Sequence, residues 1–440
     1  MPRDARGLAV TTASSEALAA YDEGVHELLG WGRRALDRFR TAAGLDPGLA
    51  LAHAGQAVCL YLDERFAEAR AAAEAARQAA AIGSDRERTH VEAVALLVTG
   101  QVAEAETALR AHLEAHPRDL VIAQRLYFVW FWQGRFPEML ALTERLLKVA
   151  GDMETGSGGF LLGLHAFALE EAGRLPDAAR VAEAAIGRNP RDAWAVHALA
   201  HALFEGAAFD AGITRLPPAI HPCQHLGWFR NHLVWHLGLM HLSRGDYARA
   251  RAMSQAAFER VPSAIAGDLH DSISLLWRQD LCGRPVGVRW QPFAAIARER
   301  LDRQGLLFHA VHLAMALAGA GDWATAERQL GMLRGRAAED ATGLVGDVVV
   351  PLVEGMHAFA AGDYRRTIER TAPLRPRIIE LGGSRAQRDV FHDTLLEACF
   401  RDGDGERAES LLAARVARRP DHYWLRRRDT RCASTGPLPP

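Results

Sequence analysis

A short phrase that recurs along the chain constrains its fold more than any other feature. The phrase consists of a glycine, a variable residue, a bulky apolar residue, two variable residues and a small or apolar residue. Its copies begin at Gly100, Gly134, Gly173, Gly245, Gly321 and Gly362, with a degraded copy at Gly403. Glycine readily adopts the left-handed conformation that ends a helix, and an apolar residue just beyond it can close a helix pair. The phrase therefore predicts a turn between two packed helices at each of these positions.

The spacing of the phrase indicates a helical repeat. Successive glycines are 34 and 39 residues apart in two of the intervals and 41 residues apart in two others, and the two wider intervals each have room for one further turn. Those further turns fall at Gly283 and at a degenerate copy near Ala207 and Phe209. A period of about 34 residues is typical of tetratricopeptide repeats, which pack only on their neighbours. We therefore predict an all-α fold, a tetratricopeptide-like helical-hairpin solenoid with degenerate repeats of about 34–41 residues.

The repeat register also predicts a domain organisation. We expect a flexible N-terminus over residues 1–12 and a single tetratricopeptide-like α-solenoid over residues 13–425. A histidine-rich groove is expected at the centre of this solenoid, over about residues 190–320. Residues 426–440 are basic and then rich in proline, which predicts a flexible C-terminal tail.

Composition argues against several classes of function. The formal net charge is −2 and the isoelectric point is near 6.8, so no excess of basic residues attracts nucleic acid or an anionic membrane. The five cysteines are far apart and form no CxxC pair, which argues against a disulfide framework or a zinc ribbon. The first residues lack the apolar core of a secretory signal, and no run of about 18 uncharged apolar residues is present. We expect a cytoplasmic protein that binds neither nucleic acid nor a membrane.

Two pairs of histidines fall on the first helices of neighbouring repeats, at positions that line the concave face of such an array. His197 and His201 form one pair, and His232 and His236 form the other. Residues four apart share one face of a helix, so each pair presents two imidazoles to the same side. Imidazole nitrogens bind zinc and iron, and helical bundles build metal sites from facing helices. The four histidines are therefore candidate ligands of a divalent metal ion, iron or zinc.

A role without metal stays open for the same positions. Histidines on a groove commonly bind water or the carboxylate or hydroxyl group of a ligand. Asp271 and His312 fall on the same face in later repeats. Trp235 lies within the second histidine pair, where it packs between helices or forms the wall of a pocket.

Arg388 and Asp389 fall in the first turn of a predicted helix near the end of the array. Ser384 and Gln387 match a capping box that would begin this helix. The arginine and the aspartate either form an ion pair that fixes this end of the solenoid or bind a ligand, and both interpretations stay open. The candidate ligand-binding residues are His197, His201, His232, Trp235, His236, Asp271, His312, Arg388 and Asp389.

Four segments of the chain are similar to the family of tetratricopeptide repeat protein 38, also called StaR-like. These segments are residues 194–201, 231–236, 271–278 and 382–391. The resemblance covers residues 11 to about 420, and it implies degenerate repeats in one closed-up solenoid without implying a settled activity. The resemblance also leads us to expect an acidic residue two positions before His312, where Ala310 stands in this chain.

Two functions from different classes are consistent with these residues. The first is a tetratricopeptide-repeat binding protein that holds a peptide, a protein or a small-molecule ligand in its histidine-rich concave groove. The second is a metal-dependent enzyme, with non-haem iron or zinc in the same groove. Repeat arrays commonly bind partners, which favours the first function. Because a fold alone does not decide the chemistry of its site, whether the chain is an enzyme stays open.

Overall fold

The computed structural model describes residues 1–150, 159–303 and 306–433, and within these ranges the protein is all-α. It contains 23 α-helices there and no β-strand, with isolated bridges only between Arg3 and Ala9 and between Gly32 and Leu226. Among these helices, none is both long and apolar enough to cross a membrane. The turns and the packing described below confirm the predicted fold class, an all-α array of tetratricopeptide-like helix hairpins.

The helices follow one another with short connections. The first twelve are α1 (Ser15–Leu29), α2 (Ala35–Leu45), α3 (Ala50–Leu62), α4 (Phe66–Ala80), α5 (Asp85–Val98), α6 (Val102–Ala115), α7 (Leu120–Phe131), α8 (Phe136–Ala150), α9 (Gly159–Glu171), α10 (Leu175–Arg188), α11 (Ala193–Glu205) and α12 (Phe209–Ile220). The others in the described ranges are α13 (Phe229–Arg244), α14 (Tyr247–Ser254), α15 (Ala266–Leu281), α16 (Gln291–Glu299), α17 (Leu307–Gly319), α18 (Trp323–Ala337), α19 (Val350–Ala360), α20 (Tyr364–Thr371), α21 (Arg385–Asp402), α22 (Gly405–Arg418) and α23 (His422–Ala433). Short 3₁₀ or π-helical turns occur at Gln255–Glu259, Gly287–Trp290, Val345–Val349, Ala372–Leu374 and Ile378–Leu381.

Glycines in the left-handed conformation link the helices of the pairs, as the recurring phrase predicts. At all eight predicted turn glycines φ lies between 68° and 84°. These residues are Gly100, Gly134, Gly173, Gly245, Gly283, Gly321, Gly362 and Gly403. After four of these turns the next residue is an aspartate whose side chain accepts a hydrogen bond from the first turn of the following helix. Such a cap satisfies an N–H group that would otherwise have no partner within the helix.

Three further turns use a residue other than glycine. Ala207 has φ of 55°, which confirms the degenerate turn predicted there. Trp31 and Glu64 have φ of 61° and 59° and link α1 to α2 and α3 to α4. The glycine pattern missed these two hairpins, because the left-handed conformation is uncommon for residues with a side chain but still accessible to them.

In several hairpins the first helix is buried on almost all sides, whereas the second is buried along one stripe. Every residue of α17 from Phe308 to Ala318 is buried, while α18 buries one face that includes Ala326, Leu330 and Leu333. Alternate helices also contact each other, as α3 contacts α5 and α15 contacts α17. A first helix such as α17 is therefore surrounded by other helices, which explains why its sequence is apolar all round. The predicted site residues lie on helices of this buried kind.

The chain forms two compact units. The first unit comprises Met1–Phe131, Arg135–Ala202 and Pro217–Arg230. The second comprises Trp132–Gly134, Leu203–Leu216 and the described part of residues 231–440. The predicted single solenoid over residues 13–425 stays a prediction.

The two chain ends make specific contacts. In residues 1–12, the Asp4 carboxylate accepts a hydrogen bond from Arg6 at 2.9 Å, and both side chains are buried. Thr11 donates its backbone N–H group to Glu87 on α5 at 2.7 Å. Helix α23 occupies residues 426–433 of the predicted C-terminal tail, and residues 434–440 lie outside the described ranges.

Candidate functional site

All nine predicted site residues are buried, with between 0% and 6% of their surface exposed. Seven lie on α11, α13, α15 and α17, and the other two lie in the first turn of α21. A peptide lying on the protein surface would not touch side chains at this depth. An ion or a small molecule enclosed among them would do so. Burial therefore favours a small occupant for these positions.

The nine residues are divided between the two units. His197 and His201 belong to the first unit, and the other seven belong to the second. Within each histidine pair the rings are neighbours, with centroids 4.4 Å apart for His197 and His201 and 5.0 Å apart for His232 and His236. The helical spacing thus places each pair on one face as predicted. Whether the four histidines share a metal ion stays a prediction.

In the first unit, His201 lies beside two buried glutamates that the sequence analysis did not single out. Glu170 and Glu171 are consecutive residues at the end of α9. One ligand atom from each glutamate and one ring nitrogen of His201 lie within 4.8 Å of one another. The Nδ1 atom of His201 is 3.5 Å from Oε2 of Glu170. This spacing is suitable for three ligands around one metal ion.

An aromatic ring holds the two imidazoles of the first unit in place. Phe167, which is buried on α9, stacks on His197 with centroids 5.1 Å apart and an interplanar angle of 20°. It meets His201 edge to face at 5.0 Å and 89°. Because Phe167 precedes Glu170 by one helical turn, a single helix supplies both the packing surface and the carboxylates.

The position of the glutamates on their helix makes their charge costly. They are the last two residues of α9, where the helix dipole presents its negative end. Both are buried. The phenol of Tyr127 lies nearby, and burial first, then the Glu171 and Glu170 carboxylates, raise its pKa well above the usual range. A buried pair of carboxylates at a helix C-terminus favours a positively charged partner, a proton or a metal cation.

In the second unit, Asp271 orients His232. Oδ2 of Asp271 lies 2.7 Å from Nδ1 of His232, and both residues are buried. A neutral imidazole that donates from Nδ1 carries its lone pair on Nε2, the form found in metal ligands and general bases. Trp235 stacks on the His232 ring at 5.4 Å and 15°, and its indole N–H donates to the Ser274 hydroxyl at 3.1 Å. Trp235 therefore packs against His232 and holds the histidine pair in place.

His312 is held by the backbone. Its Nδ1 atom is 2.9 Å from the carbonyl oxygen of Phe308, and burial lowers the pKa of His312 to about 4. The backbone carbonyl of Phe308 thus bonds to one ring nitrogen of His312. The acidic residue expected two positions before this histidine is replaced by Ala310. Close by, Nε2 of His270 is 2.9 Å from Nδ1 of His309, a histidine that the sequence analysis did not identify as a site residue.

The structure shows other contacts for Arg388 and for Asp389, and the predicted ion pair between them stays a prediction. Arg388 donates to the carbonyl of Gly383, while Asp389 accepts from Arg418 and, at 2.6 Å, from Arg419. The capping box of Ser384 and Gln387 is present. Ligand binding by Arg388 and Asp389 stays a prediction.

The first unit contains a second cluster of histidines and carboxylate, which the sequence analysis missed. Oδ2 of Asp119 lies 2.9 Å from Nδ1 of His90 and 3.3 Å from Nε2 of His112. Arg86 donates to the same oxygen at 3.0 Å. Burial alone would raise the pKa of Asp119, but His90 and Arg86 hold it well below its usual range. The carboxylate already has a fixed cation, which marks this cluster as a structural ion network.

A proline precedes three buried aspartates, one of which is Asp119. Asp119 and Asp192 each stand two residues after a proline that ends a repeat, and Asp421 follows Pro420 directly. All three are buried and accept hydrogen bonds from the start of the next helix. The aspartate after the closing proline is thus a helix cap that the sequence could have revealed.

No protein-family model matches the chain. Among solved structures, the crystal structure of the APC/C hetero-tetramer Cut9-Hcn1 aligns with a TM-score of 0.40 and 13% identity, over 90% of this chain and 76% of that chain. The structure of Naa15/Naa10 bound to HypK-THB aligns with a TM-score of 0.25 and 13% identity, over 90% of this chain and 62% of that chain. The chain therefore spans less than two thirds of the second protein. Likenesses of this size carry no argument about function, and the fold assignment rests on the turns and packing described above.

Proposed function

We propose that this chain is a helical-repeat binding protein that holds a divalent transition-metal ion through Glu170, Glu171 and His201. The observation that carries the proposal is the approach of one ligand atom from each residue to within 4.8 Å of the others, in a buried position. Zinc, iron and manganese are the ions that mixed imidazole and carboxylate ligands suit. The proposal adopts the metal-binding interpretation of the sequence and adds Glu170 and Glu171 to the candidate histidine ligands.

The charge of the site supports a cationic occupant over a water molecule. Two carboxylates at the negative end of α9 destabilise each other and the helix when both are ionised. A divalent ion removes this repulsion and brings its own binding free energy to folding. His197 is the nearest further imidazole of the first unit, with its ring centroid 4.4 Å from that of His201, and it is a candidate fourth ligand.

The proposal concerns binding, and catalysis would require more. An enzyme of this type keeps one coordination position open for water or substrate, whereas a structural site has protein ligands at every position. The residues present supply three ligands, or four with His197, so either outcome is compatible with the set. We also propose that the chain binds protein partners on its repeat surface, as tetratricopeptide-like arrays commonly do. Membership of the tetratricopeptide repeat protein 38 family and a cytoplasmic location are proposed with it.

Elemental mass spectrometry of the untagged full-length chain tests the metal site. The protein would be produced in medium supplemented with zinc, iron and manganese, and compared with Glu170→Gln, Glu171→Gln and His201→Ala. His165→Ala is the matched control, since His165 lies on α9 and its Nδ1 atom is 3.0 Å from the Thr143 hydroxyl. We expect about one metal ion per chain in the wild type and the control, and a large loss in the other three variants.

Cobalt substitution and circular dichroism separate loss of ligands from loss of fold. A cobalt-loaded wild type should show visible absorption bands of a nitrogen and oxygen site, which His201→Ala should remove while helical content is preserved. Absence of metal from the wild type, even after reconstitution, would refute the proposal. Metal retained in Glu170→Gln but lost in His232→Ala would assign the ion to the second unit instead.

A further inference from the structure

Three arginines of the first unit are buried, and one of them differs from the other two in its partners. These residues are Arg6, Arg86 and Arg125. Arg6 donates to the Asp4 carboxylate at 2.9 Å, and Arg86 donates to the Asp119 carboxylate at 3.0 Å. Within the described part of the chain, no carboxylate forms an ion pair with Arg125. Arg125 therefore needs an explanation that the other two arginines do not.

The contacts of Arg125 are with uncharged groups. Its Nη2 atom donates to the side-chain oxygen of Gln124, and its guanidinium lies over the Phe128 ring, 5.6 Å from the centroid. Burial lowers the pKa of Arg125 to about 10, so the guanidinium stays protonated at pH 7. The nearby Cys59 thiol and Tyr61 phenol stay neutral there, because burial raises the pKa of Cys59 to about 12 and that of Tyr61 above its ordinary value.

The surroundings of the Phe128 ring contain buried hydrogen-bond donors that lack acceptors. Of the five N–H groups of an arginine, Nε of Arg125 is buried and finds no acceptor among the described residues. The Trp31 ring meets Phe128 edge to face at 5.3 Å and 89°. Its indole N–H is likewise buried, with no acceptor in the described part of the chain. A ligand that accepts hydrogen bonds and donates none would suit such groups.

The neighbours of Arg125 offset only part of the cost of burying its charge. An aromatic ring attracts a cation more weakly than a buried carboxylate does. The Gln124 amide is itself held in place, since its Nε2 atom donates to the carbonyl oxygen of Leu29 at 3.3 Å. A monovalent anion would supply the missing negative charge. A divalent anion would leave a net negative charge in the buried site, which is again costly.

We infer that Arg125 binds a chloride ion. A halide carries one negative charge, accepts hydrogen bonds from several directions and is only slightly larger than a water molecule. Size matters, because a guanidinium of which so little is exposed leaves little room for an organic acid. Gln124 orients the guanidinium, and Phe128 covers one of its faces. The inference goes beyond the metal-binding proposal and uses none of its ligands.

Urea unfolding of the full-length chain at constant ionic strength tests the inference. Sodium chloride would replace sodium gluconate stepwise, and circular dichroism would follow the transition. EDTA would be present throughout, so that a bound metal ion does not contribute. An ion that binds only the folded state stabilises it by mass action. At a chloride concentration about a hundredfold above Kd, the equilibrium constant for unfolding should therefore be about a hundredfold lower than in gluconate.

Variants assign the chloride response to Arg125. Arg125→Met keeps a long unbranched side chain against Phe128 and removes the charge, so its unfolding should not respond to chloride. Arg125→Lys, measured as well in case the methionine variant does not fold, keeps the charge but loses the fork of donors. It should bind chloride about tenfold more weakly. Arg110→Met on α6 is the control and should respond as the wild type does, since the Arg110 side chain is 62% exposed.

Chloride NMR gives a second readout that does not depend on unfolding. The wild type should broaden the chloride resonance, and Arg125→Met should not. No saturable response to chloride in the wild type, an equal response in Arg125→Met, or an unchanged affinity in Arg125→Lys would each overturn the inference. Acetate that stabilises the wild type as strongly as chloride does would show that the guanidinium takes a carboxylate, and it would overturn the assignment of a halide.

Discussion

Two buried clusters of the first unit contain the same residue types but balance their charges differently. In the cluster around Asp119, one carboxylate oxygen receives Arg86 at 3.0 Å and His90 at 2.9 Å. In the cluster at the end of α9, one ligand atom each from Glu170, Glu171 and His201 lies within 4.8 Å of the others. The first cluster has one negative charge and a permanent cation. The second has two carboxylates and an imidazole, which is neutral unless protonated.

The difference teaches that proximity of histidines and carboxylates does not by itself identify a metal site. Both clusters bring potential ligands together, yet a metal ion near Asp119 would have to replace or repel the Arg86 guanidinium. At Glu170 and Glu171 an incoming cation meets two carboxylates at the C-terminal end of a helix, where the helix dipole is negative. The second carboxylate and the position at a helix C-terminus, more than ligand type, distinguish the proposed metal site from the structural cluster.

The largest effect is expected from removing the permanent cation. Arg86→Met should lower the free energy of unfolding by about 3–5 kcal/mol, because it leaves Asp119 buried without its permanently charged partner. Urea unfolding followed by circular dichroism measures this. Arg88→Met on the same helix, whose arginine is exposed, is the control and should unfold like the wild type. Equal losses in both variants would show that Arg86 acts through general helix stability.

Metal removal should affect the second cluster and spare the first. At a metal concentration about a hundredfold above Kd, the bound ion should add about 2.7 kcal/mol to the free energy of unfolding, and a chelator should abolish this gain. Glu170→Gln should no longer respond to the chelator, whereas His112→Gln should respond as the wild type does. Urea titrations with and without the chelator provide the measurement. The opposite pattern would place the ion at Asp119 and reverse the comparison.

A third buried carboxylate of the first unit, Asp192, sharpens the comparison because no arginine or histidine of the described part of the chain bonds to it. Among the described residues, its Oδ1 accepts the N–H groups of Trp194 and Ala195 at 3.1 Å each, and its Oδ2 has no hydrogen-bond partner. Burial raises the pKa of Asp192 to about 7. Between the pKa of the unfolded chain, near 4, and pH 7 the folded state therefore holds an extra proton.

Stability should accordingly fall as pH rises through this window. Between pH 5.5 and 7 the contribution from Asp192 amounts to a loss of about 1.6 kcal/mol, since the slope of about 1.4 kcal/mol per pH unit falls to half as pH approaches the folded pKa. Asp192→Asn keeps an oxygen for the two N–H groups and does not titrate. The unfolding free energy of the variant, measured relative to that of the wild type, should therefore rise by about this amount from pH 5.5 to 7. A constant difference over that range would mean that Asp192 is already ionised in the folded protein.

Much of the fold follows from local sequence rules, and the exceptions have physical causes. Glycine marks the turns at Gly100 and seven other positions because its backbone reaches φ near 80° without strain. The turns at Trp31 and Glu64 escaped detection, since nothing in a tryptophan or a glutamate signals a left-handed backbone. Propensity rules describe what a residue prefers, and tertiary packing can impose the less preferred conformation.

The candidate site was predictable only in part. Helical spacing placed His197 beside His201 and His232 beside His236, because that geometry depends on one helix at a time. The approach of Glu170 to His201 depends on how α9 and α11 pack, which no local pattern records. The depth of these residues also escaped prediction, since a first helix that is apolar all round lies within the array and does not line an open surface.

The smallest effect is expected from the N-terminal cap of α5, the helix that carries Arg86 and His90 of the Asp119 cluster. Ser84 caps α5 by accepting from the N–H group of Glu87, and the Glu87 side chain accepts from the N–H group of Ser84 at 2.8 Å. Ser84→Ala should cost about 1 kcal/mol of unfolding free energy, while Ser84→Gly should cost only a few tenths.

Because Arg86 lies in the first turn of α5, fraying there would also loosen its contact with Asp119. The double variant Ser84→Ala/Arg86→Met should therefore cost less than the sum of the single changes, by about 0.5 kcal/mol or more. Strict additivity in the same urea titrations would show that Asp119, held by His90 and His112, keeps Arg86 in place without help from the cap.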